Sequence, residues 1–330
     1  MSQCEVVTIG EVMALLLAPE GVPLGEAAAY EQQYAGAESN VAVGLARLGH
    51  GVAFVSRLGE DRLGRRIYRD LRGEGIDVTA VALDDTAPTG LILRDTLGHG
   101  ISVDYHRAGS AATRLAPGDL PLEQIRAARV LHLTGITAAI SATAHETALA
   151  AARAAREAGV MVAFDPNVRM RLADAERWRE IVETFAGLSD ALLIGADDAA
   201  SVGIEDPVTW GHGHGVGVVV LKDGARGATE SHTPAAARDR ALPRGREGHA
   251  TATWAAGALT VRDVVDPVGA GDAFAAGWLS AWLRDVDPER RLSEAAAVAA
   301  CVVGTRGDTP GLPDAATRDR LLAGSQEVAR

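Results

Sequence analysis

The run Val265-Asp266-Pro267-Val268-Gly269-Ala270-Gly271-Asp272-Ala273-Phe274-Ala275-Ala276-Gly277 holds the residues best suited to chemistry. Gly269 and Gly271 admit a backbone path closed to most side chains, and an acid follows at once. Small and apolar residues then continue as an amphipathic helix to about Leu283. The first N–H groups of a helix have no intrahelical acceptor and sit at the positive end of its dipole, where a phosphoryl group is welcome. A carboxylate there repels phosphate, but it is well placed to take the proton of a hydroxyl that attacks phosphorus. The pattern therefore predicts a phosphotransferase, with Asp272 as base and the Gly269, Ala270 and Gly271 N–H groups at the transferring group. A bare Gly-x-Gly-Asp is weaker, since any tight strand-to-helix turn can carry it.

Other groups qualify on residue type. In Tyr34-Ala35-Gly36-Ala37-Glu38-Ser39-Asn40-Val41-Ala42, Gly36 permits close backbone approach, and Asn40 can donate to and accept from a sugar hydroxyl. A turn at Gly36 and a helix N-cap at Ser39 or Asn40 account for the same residues. In Asp104-Tyr105-His106-Arg107 a strand would place Tyr105 and Arg107 on one face and His106 on the other. A guanidinium beside a phenol suits a carboxylate with neighbouring polar oxygens; a solvated Arg beside a packed Tyr is the competing account. Phe164-Asp165-Pro166-Asn167-Val168-Arg169 follows an apolar strand, and ligands of open α/β sheets collect at strand carboxyl ends. Asp165-Pro166 also reads as a turn opening a helix. Lys222-Asp223-Gly224-Ala225-Arg226-Gly227 is either a glycine-rich turn against a nucleotide or a plain hairpin turn. His212-Gly213-His214 lacks further placed ligands and reads as surface loop rather than metal site.

The string at 266–277 resembles the C-terminal signature of the PfkB (ribokinase-like) sugar kinases. Gly36-Ala37-x-x-Asn40-Val41-Ala42 followed by Gly59-x-Asp61-x-x-Gly64 resembles their N-terminal signature, so the resemblance covers nearly the whole chain. Within that family, Tyr105-His106-Arg107-Ala108-Gly109-Ser110-Ala111 is similar to a segment of 2-keto-3-deoxygluconate kinases. The resemblance implies an α/β, ribokinase-like three-layer αβα fold with a mainly parallel central sheet and a small β-sheet lid. It implies ATP-dependent phosphorylation of the terminal hydroxyl of a sugar acid, 2-keto-3-deoxygluconate, to its 6-phosphate, with Mg²⁺ on the donor phosphates. Gly36 and Asn40 would line the sugar. Tyr105, Arg107 and Arg169 would hold its acid end, the two arginines clamping one carboxylate, and Asp308 would be an acidic substrate contact. Asn167, Lys222, Gly224, Gly227, Gly269 and Gly271 would lie at the nucleotide. Three positions depart from the pattern. Asp198 stands in Gly195-Ala196-Asp197-Asp198 where the family carries Asn-x-x-Glu near magnesium, Ile92 replaces a Tyr, and His106 replaces another. They leave open a kinase for a neutral ketose, ribose or nucleoside, and a catalytically silent sugar-binding protein on the same scaffold.

The elements that must position these residues alternate. Predicted strands are Val6–Ile9, Val52–Arg57, Val130–Leu133, Val160–Phe164, Ala191–Ile194 and Val216–Leu221. Predicted helices are Asn40–Leu48, Arg62–Glu74, Ala142–Ala158, Ala175–Ala186, Ala270–Leu283 and Leu292–Val303. That rhythm favours a parallel sheet covered on both faces. Val12–Tyr34 and Ala87–Arg107 break it with alternating, helix-free pieces. They pair as a lid or extend the main sheet at its edge, and the lid reading divides the chain into a large unit (1–11, 35–86, 108–330) and a lid (12–34, 87–107). The irregular, basic stretch Ser231–Ala256 is expected as a long surface loop. With 330 residues one large unit and an appendage are expected. A net charge of −12 argues against a general binder of nucleic acid or anionic membrane. Two cysteines, Cys4 and Cys301, are too few for a disulfide framework, and no leader-like segment opens the chain, so a cytoplasmic protein is expected. The resemblance further implies a homo-oligomer, a dimer or larger, paired through the lid sheets.

Overall fold

Val6 and Val7 show how the sequence builds layers. Both are fully buried, Val6 among Phe54, Leu193, Trp278 and Leu279, and Val7 among Val55, Phe164, Trp178 and Phe185. Successive strand residues point to opposite faces, so an unbroken apolar run requires cover on both. The computed structural model describes residues 4–97, 100–233, 251–261 and 263–328. Its strands are β1 (Val6–Ile9), β2 (Met13–Leu17), β3 (Glu31–Ala35), β4 (Val52–Gly59), β5 (Val81–Asp84), β6 (Leu91–Leu97), β7 (Gly100–His106), β8 (Val130–Thr134), β9 (Met161–Asp165), β10 (Ala191–Gly195), β11 (Val218–Lys222), β12 (Ala228–His232) and β13 (Ala252–Ala256).

The main sheet runs β13-β12-β11-β10-β9-β8-β1-β4-β5. It is parallel from β5 to β11, and β12 and β13 close its far edge antiparallel. Helices Ala37–Arg47, Arg62–Gly73, Ala270–Leu283 and Pro288–Val303 cover one face. Helices Ala142–Glu157 and Ala175–Ala186 cover the other, giving the expected αβα layers. The expected lid pieces form a separate four-stranded sheet, β3-β2-β6-β7, rather than an extension of the main one. Within it β2 and β6 run parallel while the outer pairs are antiparallel.

The structure corrects four expectations. The helix expected from Asn40 begins three residues earlier, at Ala37, so Asn40 is no cap. Asp165-Pro166 opens no helix; the chain loops until Asp174 caps Ala175–Ala186 through Arg177 N (2.8 Å). His212 belongs to helix Pro207–Gly213, with its ring between Val216 O and Ser231 Oγ, rather than to a loop. Both ends of the expected Ser231–Ala256 loop are strand, in β12 and β13, while 234–250 lie outside the described residues. Among the described residues no helix is long and apolar enough to cross a membrane.

Candidate active site

The carboxyl ends of β1, β8, β9, β10 and β11 meet at one edge of the main sheet, and helix Ala270–Leu283 starts there. Gly269 caps it at φ +84°, a left-handed conformation that favours glycine, and Asp308 Cα lies only 3.3 Å from where a Cβ would sit. Ala270 N donates to Pro267 O (3.3 Å), so by helix geometry Gly271 and Asp272 carry the N–H groups the helix does not use. Asp272 is 8 % exposed. Its Oδ2 accepts from Asn40 Nδ2 (2.8 Å) and its Oδ1 from Asn167 Nδ2 (3.0 Å), so two amides from separate elements fix both oxygens. Burial, joined by the charges of Asp165 and Asp308, pushes the Asp272 carboxyl up to about 7 against the pull of Asn40 and Arg169.

Local geometry explains both amides. Asn40 lies inside helix Ala37–Arg47, whose cap is Gly36, so its side chain is free to reach across. A Cβ on Gly36 would run into the backbone oxygen of Glu11. Below it, Glu38 accepts from Thr134 Oγ1 and Thr137 Oγ1 (2.5 Å each), tying that helix to the end of β8. Asn167 holds a positive φ of 44°, rare without glycine, and Asp165 Oδ1 steadies the turn by accepting from Asn167 N (3.2 Å). The expectation placed Asn167 at the nucleotide; its amide sits on Asp272.

Around the turn stand further expected residues. Lys222 Nζ pairs with Asp165 Oδ2 and lies 3.8 Å from the Cβ position of Gly271. Asp198 Oδ1 accepts from Val168 N (3.2 Å), and burial together with the neighbouring Asp165 charge raises its carboxyl to about 6. Gly224 (φ +52°) and Gly227 (φ +101°) shape the β11–β12 hairpin, where a Cβ on Gly227 would strike Ala256 O. A cavity of about 230 Å³ opens beside them, lined by Leu221, Arg226, Gly227, Thr229, Ala255 and Gly257 among others.

On the side of the four-stranded sheet, Arg107 lies over the Tyr105 ring, 4.7 Å from its centroid, so the two share a face as a strand requires. Arg107 Nε is 3.4 Å from Glu11 Oε2. Arg169 is exposed and its Nη1 donates to Val168 O (3.0 Å), so the two arginines are held by different partners. Asp308 Oδ2 accepts from Asn40 Nδ2 (3.1 Å). Three residues beyond the expected set take part. Arg94, on β6, binds Asp308 Oδ1 (2.7 Å) and Asp266 Oδ2 (2.8 Å). Glu11, at the end of β1, has its carboxyl raised by burial in spite of Arg107. The signal for Arg94 was its phase: it shares the strand face of apolar Ile92, where a charge is out of place unless paired.

The pattern of the pfkB family carbohydrate kinases matches residues 3–315. The chain is 35 % identical to the 2-dehydro-3-deoxygluconokinase of Bacillus subtilis (strain 168), covering 97 % of this chain and 94 % of that protein. It is 32 % identical to the enzyme of the same name from Thermoproteus tenax, over 96 % and 93 %. Among solved structures, a PfkB protein from Polaromonas sp. JS666 superposes with a TM-score of 0.83 at 34 % identity, covering 96 % and 99 %.

Proposed function

The chain belongs to the pfkB family of carbohydrate kinases, and on that premise we propose that it moves the terminal phosphoryl group of ATP to the end hydroxyl of 2-keto-3-deoxygluconate. The observation that carries this reading is Asp272, held by two amides in the first turn of a helix whose opening N–H groups lack helical acceptors. As the hydroxyl oxygen attacks phosphorus, Asp272 takes its proton and the bond to the departing diphosphate breaks. Charge gathering on the phosphoryl oxygens meets the Gly269–Gly271 turn, above all the Gly271 N–H. Arg107 with Tyr105, and Arg169, receive the carboxylate end, while Gly36, Asn40 and Asp308 border the sugar chain. Names of the curated relatives support the sugar acid as substrate.

The cavity that Asp223, Arg226 and Gly227 line is the place this proposal gives the nucleotide. Among the described residues no three His, Cys, Asp or Glu could hold a metal alone. Mg²⁺ suits such a site, because it keeps waters and phosphate oxygens and needs one or two carboxylates. Asp198, a half-buried acid with a single backbone donor, is the residue for it. Magnesium bound there would screen the donor phosphates. The same proposal takes the four-stranded sheet as a water-excluding lid, and the protein as a cytoplasmic homo-oligomer.

A coupled assay of ADP release tests the reading with 2-keto-3-deoxygluconate, its galactonate epimer, fructose and ribose. Release with the 2-keto-3-deoxy acids alone is expected. Release with fructose or ribose but with neither acid overturns the substrate, and no release with any compound overturns the activity.

A further inference from the structure

Arg94 projects from the lid strand β6 into the main body and is only 2 % exposed. Its Nη1 donates to Asp308 Oδ1 (2.7 Å) and its Nη2 to Asp266 Oδ2 (2.8 Å), so one planar fork spans two buried acids. The other Asp308 oxygen accepts from Asn40 Nδ2 (3.1 Å), and the same amide donates to Asp272 Oδ2 (2.8 Å). An unbroken line of polar contacts thus joins lid to base: Arg94, Asp308, Asn40, Asp272. The second arm is equally anchored. Asp266 accepts from Val268 N (3.1 Å) and Gly307 N (3.3 Å), stitching the segment that enters the glycine turn to the loop that carries Asp308.

We propose that Arg94 is a positioning residue that couples the seated lid to the catalytic base, by compensating Asp308 and fixing the Asn40 amide on Asp272. The proposal rests on the reading of Asp272 as base. Its physical content is a balance of charges. Asp272 faces Asn40 and Asp308 on one side, and Asn167, Asp165 and Arg169 on the other, with Lys222 already committed to Asp165. With Arg94 in place, the charge that Asp308 presents to its neighbour is partly compensated: it still helps to raise the Asp272 carboxyl, but less than a bare carboxylate would. With the lid lifted or the guanidinium removed, a bare carboxylate stands across one amide from Asp272, which then holds its proton to higher pH and accepts another less readily. A base matched to its task only under a closed lid spends less time competent while water has access.

The test compares the full chain with Arg94→Met, Arg94→Lys and Asp272→Asn, using ATP and 2-keto-3-deoxygluconate, with melting temperatures taken alongside. In Arg94→Met the acid limb of kcat/KM should move up by about one pH unit and kcat at neutral pH should fall about tenfold, while KM for ATP changes less than about twofold. Arg94→Lys, which keeps the charge but not the fork, should shift the limb the same way by a smaller amount. A limb that stays in place while only the melting temperature falls assigns Arg94 a purely structural role and overturns the proposal. If Arg94→Met does not fold, Arg94→Lys decides alone: an unmoved limb with native kcat overturns it. Should Asp272→Asn retain near-native turnover, the base reading fails and takes this proposal with it. If Asp272→Asn is inactive and the limb of the Arg94 variants is unmoved, only the coupling fails.

Discussion

As the proposed base, Asp272 carries opposing demands, since it must be ionised and its surroundings resist ionisation. Burial first, then the Asp165 and Asp308 charges, raise its carboxyl from 3.8 to about 7. Activity should therefore rise with pH through a limb near 7, read from kcat/KM against pH. The sign for stability is opposite. A group bound more tightly to its proton in the folded than in the unfolded chain stabilises at low pH, and that stability is lost as pH climbs from about 4 through 7. Each unit of the shift is worth about 1.4 kcal/mol. Asp272→Asn removes the ionised form, so it should lose turnover by about a thousandfold yet melt at or above the wild-type temperature at pH 8, with the gap closing toward pH 5. A gap that does not change with pH would contradict this account of Asp272. Arg169 makes a complementary case: exposed and resting on its own Val168 O, it is free to swing onto a ligand. Arg169→Ala should raise KM for the sugar acid about tenfold or more and leave KM for ATP unchanged, because a charge-assisted contact is lost only at the acid end.

At the scale of elements, helix Ala37–Arg47 matters through how its start is held. Gly36 is extended at φ 170°, so backbone strain does not demand glycine there; space does, because Glu11 O occupies the position a Cβ would take. Gly36→Ala must push the helix start away from β1, and Asn40 rides one turn further along. The expected result is a fall in kcat of about tenfold with a lower melting temperature, since small displacements at a reacting centre are expensive. An unchanged kcat would show that Asn40 does not need the close approach. Part of this element was legible from the sequence: Gly36 and Asn40 stood out, although a turn and a helix N-cap accounted for them equally well, and the helix starts at Ala37 rather than at Asn40. Arg94 and Asp266 were less so. Their pairing joins residues 172 apart in sequence, and no local spacing records which acid a strand of the smaller sheet meets. The bond from the Asn167 amide to Asp272 was hidden for the same reason: a positive φ accompanies it, and a single side-chain type does not announce that turn.

The whole molecule places Asp272 by packing, and here the sequence is most reticent. The parallel core could be read from its apolar runs, because strands buried on both faces leave a continuous signature. Strands β12 and β13 could not, since Ala228–His232 and Ala252–Ala256 are short, mixed in polarity and separated by a long basic stretch. Yet β12 carries Glu230, which joins this edge to the helix of Asp272. Its Oε2 accepts from Trp278 Nε1 (2.8 Å) and Arg291 Nε (3.1 Å), and its Oε1 from Arg291 Nη2 (2.5 Å), with His232 Nε2 at 2.6 Å. Glu230, Arg291 and Trp278 are fully buried, and Trp278 lies on the same helix as Asp272. A buried pair of this kind contributes little over an apolar replacement, but breaking one side of it strands a charge. Arg291→Met should therefore destabilise the protein by about 3–5 kcal/mol in urea unfolding, and Glu230→Gln added to it should recover much of that loss. If the double variant is no more stable than the single one, the loss comes from Arg291 packing on the Trp278 ring, 5.3 Å from its centroid, rather than from the orphaned carboxylate. Recovery of stability without recovery of kcat would separate the two duties of the network: holding the edge of the sheet, and setting the helix that carries Asp272.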